Sequence, residues 1–134
     1  MDPGNAGPVG RGWAALVAGV IINVEPIGKP RMTQRDRWKQ RPCVLAYHAY
    51  RDTIRLQARG WEPADRCTLL FYLPMPKSWS AKKRAQMLGE PHQQKPDIDN
   101  LVKAFLDCFG EDKAIWAVEA VKRWSEQGRI EVFP

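Results

Sequence analysis

Between Lys95 and Lys103 the chain reads Lys-Pro-Asp-Ile-Asp-Asn-Leu-Val-Lys, with two carboxylates, Asp97 and Asp99, where an extended segment turns into a helix. Inside one helix, residues two apart point about 200° away from each other, but with Asp97 still extended both carboxylates can converge on one point. Lys103 lies four residues after Asp99, on the same helix face. Just beyond the helix, Gly110-Glu111-Asp112 brings a third carboxylate within reach in a compact fold. Hard oxygen donors of this kind suit Mg²⁺, which takes one or two carboxylates and completes its shell with water and substrate phosphate. The same residues also make an ordinary helix start, with Asp97 as N-cap, Asp99 favouring the dipole and Asp99, Lys103 and Asp107 forming an i, i+4 ladder.

The elements that must position these groups follow from periodicity. Ile98, Leu101, Val102, Phe105, Leu106 and Phe109 recur at i, i+3, i+4, i+7, i+8 and i+11, predicting an amphipathic helix over about 98–109 stopped by Gly110. Its apolar side is buried, so Asp99, Lys103 and Asp107 face outward or into a cleft. The β-branched run within Leu16 to Glu25 predicts a strand, and Arg66 to Leu73 a buried one bounded by Pro74 and Pro76. Cys43, Ala46, Tyr47, Tyr50 and Ile54 predict a helix ending at Gly60, with Arg51, Arg55 and Arg59 along another face. Ser80 caps a short basic helix, AKKRAQM, closed by Gly89. Ala114 to Trp124 and Arg129 to Phe133 read as a β-hairpin turning at Gly128. The order β, α, β, α, α, β, β predicts an α+β fold (α/β in the broad sense), a single domain with a mixed sheet and packed helices.

Length and composition agree with one core. The chain has 134 residues, 44% of them hydrophobic, near the commonest domain size. Met1 to Gly12 is Gly/Pro-rich without periodicity and reads as a flexible tail, leaving 13–134 as the folded domain. Three widely spaced cysteines and two isolated histidines suggest neither a disulfide framework nor a zinc site. The longest apolar run, ten residues from Trp13 to Ile22, is too short to span a bilayer, and a cytoplasmic location is expected.

Charge separates the chain into halves. The formal net charge is +6, and residues 1–60 hold ten basic and four acidic side chains against eleven of each in 61–134. The loop GKPRMTQRDRWKQRP supplies Lys29, Arg31, Arg35, Arg37, Lys39 and Arg41, a candidate phosphate-backbone contact. Trp38 and Trp79 lie in basic or loop segments where they could stack on bases, although aromatic residues more often belong to cores or interfaces.

The stretch KPDIDNLVKAFLDCFGED, preceded by GKPRMTQR and MPKSWSAKKRAQM, resembles the RusA family of Holliday junction resolvases, especially its phage-type members, over about Ile27 to Phe133. The resemblance implies a homodimeric, Mg²⁺-dependent nuclease, with Mn²⁺ as a substitute ion. It would cut four-way DNA junctions by paired symmetric phosphodiester hydrolysis, in recombination and repair within a bacterial or phage-infected cell. It also implies metal ligation by Asp97, Asp99 and Asp112 and a catalytic role for Lys103. With such a carboxylate site adjacent, DNA contacts from Lys29, Arg31, Arg35, Arg37 and Lys95 are expected ahead of a merely solvated basic surface. Where members commonly have Asp-Asp-x-Gln, this chain has Glu111-Asp112-Lys113-Ala114, so the glutamine is absent. The rival reading from the residues alone is a non-catalytic basic nucleic-acid-binding module.

Overall fold

A computed structural model describes residues 19–31, 33, 41–58, 60–110 and 113–133. The expected tail, Arg35, Arg37, Trp38, Arg59 and Asp112 lie outside these described residues. Among the described residues, four strands and three α-helices follow one another as β1 (Val20–Ile22), α1 (Pro42–Gln57), β2 (Arg66–Pro74), α2 (Ala81–Met87), α3 (Ile98–Leu106), β3 (Ala117–Ser125) and β4 (Arg129–Phe133). A 3-10 turn, Asp107–Phe109, extends α3.

β2 alternates strictly, burying Cys67, Leu69, Phe71 and Leu73 on one face, the period-2 signature of a sheet covered on one side. Tyr47, Tyr50 and Ile54 of α1 and Leu101, Ala104, Phe105 and Leu106 of α3 are buried with that face. Phe105 packs edge-on to Phe71 with ring centroids 6.3 Å apart and meets Phe109 at 5.2 Å. The opposite face carries half-buried polar cover, where the Arg129 guanidinium lies 3.8 Å from the Tyr72 ring and pairs with Glu131 at 2.8 Å.

The strand order is β1-β4-β2-β3, a mixed sheet, as the α+β reading requires. The expected hairpin between the last two strands does not form. β3 runs parallel to β2, and β4 pairs antiparallel with β2 on its other side. Pro74 and Pro76 end β2, so residues 126–128 can cross over its end, where Met75 N–H donates to Ser125 O at 2.9 Å. Gly128 serves a close approach rather than a hairpin turn, since an added Cβ would lie 2.6 Å from Glu25 Cα.

Helix α1 begins with Pro42 in its first turn, where a missing N–H costs nothing. Its apolar stripe is shifted from the expected one, because Cys43 and Ala46 are exposed and Val44 is buried in their place. Ser80 caps α2 as expected, its side chain accepting from Lys83 N–H at 3.2 Å.

Candidate active site

Asp97 stands at the N-cap of α3 in extended geometry (φ −67°, ψ 150°), and Asp99 lies in the first turn. The backbone condition for convergence of the two carboxylates is therefore met. The Asp97 carbonyl accepts from Leu101 N–H at 3.0 Å, but its carboxylate makes no cap bond. Among the described residues neither carboxylate enters an ion pair, and both are exposed. Simple capping thus leaves both side chains unused.

Two open concavities meet at Asp99. One holds Lys95, Asp97, Asp99 and Lys122, and the other holds Asp99, Lys103 and the apolar side chains Val102, Leu106 and Val118. Lys103 turns away from Asp99 toward Asp107, 3.7 Å from its Oδ2. The expected ladder is thus present in its second rung alone.

The segment that presents Asp97 is held from β3. Lys122 Nζ donates to the carbonyls of Gln94 at 2.6 Å and Pro96 at 2.8 Å, and the Lys95–Pro96 peptide is cis. His92 N–H donates to Lys122 O at 3.0 Å. The His92 ring is buried against Trp124, centroids 4.2 Å apart. Burial disfavours its charged form and the Lys122 ammonium repels it, so its pKa falls below the ordinary imidazole value.

The basic segment reaches the site through its first residues. Lys29 N–H donates to Asn100 Oδ1 at 3.3 Å and Lys29 Nζ to Asp107 Oδ2 at 2.8 Å. A Cβ on Gly28 would lie 2.3 Å from Asn100 Nδ2, so only glycine permits this approach without displacing the amide. Arg31 is exposed, and Arg41 Nη2 donates to its carbonyl at 2.5 Å. Lys95, Asp97 and Asp99 accordingly lie at the head of α3, while the ammonium groups of Lys29 and Lys103 meet at Asp107 beyond its other end.

Behind this face, Tyr47 donates its hydroxyl to Ala104 O at 3.1 Å, and Arg55 Nε donates to Cys108 O at 2.7 Å. Burial pushes the Tyr47 phenol up to about 12 and the Cys108 thiol up to about 11. Sequence reasoning missed Lys122, which stands in a strand with no motif around it. Asn100 lay in the motif, but its partner 71 residues away was not legible.

Two carboxylates without competing partners are a donor set that fits a hard divalent cation. Among the described residues no group of three His, Cys, Asp or Glu side chains forms a complete metal site.

The model of the Endodeoxyribonuclease RusA family matches residues 23–133. The chain belongs to the RusA family. It is therefore an endodeoxyribonuclease of a family that resolves Holliday junctions, and the non-catalytic module gives way to that assignment. The matched span covers every strand and helix named above except β1, which ends one residue before it. No curated protein and no solved structure matches the chain. Among the described residues no helix is long and apolar enough to cross a membrane.

Proposed function

We propose that this RusA-family chain is a Mg²⁺-dependent, structure-selective endonuclease, with Mn²⁺ able to substitute. It makes paired symmetric nicks in four-way junctions during recombination and repair, in the cytoplasm of a bacterial or phage-infected cell. The observation that carries the reading is the pair of exposed carboxylates, Asp97 and Asp99, free of ion pairs at the head of α3 with lysines on either side. Asp97, Asp99 and Asp112 would hold the ion. A bound divalent cation in such a site supplies Lewis acidity that lowers the pKa of water and offsets charge on the phosphoryl oxygens.

The chain's own residues do the rest. Lys103 contributes a fixed positive charge beside the phosphorus centre as the water oxygen bonds to it and the ester P–O bond breaks. Lys29, Arg31, Arg35, Arg37 and Lys95 hold the flanking phosphates, which sets register without reading sequence. The N-terminus of α3 adds its partial positive charge where the carboxylates cluster. A junction is nearly two-fold symmetric and needs two opposed cuts, so a small chain with one site works as a C₂ homodimer.

The test uses a synthetic four-way junction and a linear duplex, with and without Mg²⁺, on the wild-type chain and Asp99→Asn. Symmetric nicking of the junction that requires both metal and Asp99 is expected. Binding without cleavage under every metal and pH tried would overturn the reading.

A further inference from the structure

We propose that Asp107 is a positioning residue for this reaction, holding the ammonium groups of Lys29 and Lys103 together at the edge of the site. The inference rests on the nuclease reading above and adds to it a group that touches neither metal nor substrate.

One oxygen, Asp107 Oδ2, meets both lysines, Lys29 Nζ at 2.8 Å and Lys103 Nζ at 3.7 Å. The two cations come from segments more than seventy residues apart and repel each other, so their convergence needs an anion between them. Asp107 is the more sheltered partner, its side chain 21% exposed against 65% for Lys103, which fixes it as the anchor. It sits in the 3-10 turn that ends α3, tied to α1 by the Arg55 bond to Cys108 O. The carboxylate is thus carried by a packed element, met by a half-buried Lys29 and by Lys103 reaching over open surface. Lys29 is also pinned through its backbone by Asn100, so its side chain starts from a fixed point.

Asp107 would therefore act against DNA affinity and in favour of cleavage. Its negative charge weakens the attraction of the site for phosphate, yet it gives the two cations one arrangement, and misplacing such groups by about 1 Å can cost a hundredfold in rate. These effects have opposite signs, which separates positioning from a general electrostatic or structural role.

The experiment measures metal-free junction affinity, single-turnover cleavage with Mg²⁺ at saturating protein, and thermal unfolding, for wild type, Asp107→Asn, Lys29→Met and the double variant. Asp107→Asn is expected to bind the junction as tightly as wild type or more so, yet to cleave about tenfold to a hundredfold more slowly. Lys29→Met is expected to lose both binding and rate, and the double variant, in which Lys103 alone remains to be released, to be slowed by less than the two single losses combined. Wild-type cleavage by Asp107→Asn overturns the proposal, as do additive losses in the double variant or a rate that recovers fully at temperatures where the variant is folded. A wild-type chain that binds but never cleaves overturns the nuclease reading, and this inference with it.

Discussion

Lys122 donates to the carbonyl of Pro96 at 2.8 Å, and through this contact β3 holds the residue immediately before Asp97. The second bond, to Gln94 O, makes the ammonium a staple across the bend of the 94–96 segment. The candidate carboxylate is therefore aimed partly by a strand that begins eleven residues after α3 ends.

Replacing Lys122 with Met should keep the aliphatic stem and lose the staple. The expected cost is about 1 kcal/mol of stability, since the bonds are charge-assisted but partly solvated. Cleavage should fall more than that change explains, because Asp97 loses its fixed approach. Urea unfolding beside single-turnover cleavage checks this, and an unchanged rate in a folded variant would refute it.

Lys103→Ala should separate chemistry from binding. Loss of one fixed positive charge at the transition state is expected to slow cleavage about a hundredfold or more. The slope of log affinity against log salt should change by no more than about 0.9, one phosphate contact. Gel-shift titrations over a salt series and cleavage time courses give the two quantities, and equal losses in both would contradict the catalytic role.

Gly28→Ala and Asn100→Ala should damage the same contact. An alanine at position 28 forces the Asn100 amide off Lys29 N–H, and alanine at position 100 removes the acceptor outright. Each is expected to cost about 1 kcal/mol, with the double variant well short of the sum. Strict additivity in denaturant unfolding would show that the two residues act independently.

His92 predicts the direction of acid sensitivity. Its folded pKa lies below that of the unfolded chain because the ring is buried and faces Lys122. As pH drops through the ordinary imidazole range near 6.5, the unfolded chain takes up a proton that the folded chain resists, so stability is full above about 6.5 and declines below it. One such group contributes a slope of at most about 1.4 kcal/mol per pH unit. Unfolding curves from pH 8 to 5 should show this decline, and His92→Gln should flatten it. A wild-type stability that rises on acidification would be inconsistent with a buried neutral ring.

Thiol chemistry reports on the core behind the site. Cys43 is exposed, whereas Cys67 and Cys108 are buried with pKa values raised by burial. An aromatic disulfide reagent at pH 8 should label one thiol per native chain quickly and the other two only on unfolding. Two fast thiols would show that β2 or the turn after α3 opens readily.

Several parts of the molecule were legible before any coordinates. The apolar repeat from Ile98 to Phe109 gave helix α3 and most of its buried side, although Ile98 is exposed and Ala104 is buried; Ser80 and Gly89 bracketed α2, and the paired prolines marked the end of β2. The extended Asp97 and helical Asp99 were likewise readable, because capping, periodicity and backbone restriction act over a few neighbouring residues.

What the sequence by itself determined was this set of elements, the mixed α+β class, and a motif specific enough to carry the family. Only the tertiary structure decided that β2 runs between the last two strands, that Val44 rather than Cys43 faces the core, and that Lys29, Asn100 and Asp107 meet. Lone lysines such as Lys29 and Lys122 carry no periodic signal. Their partners lie 78 and 26 residues away, and contacts at such separations follow from how all the buried faces pack at once rather than from any local preference.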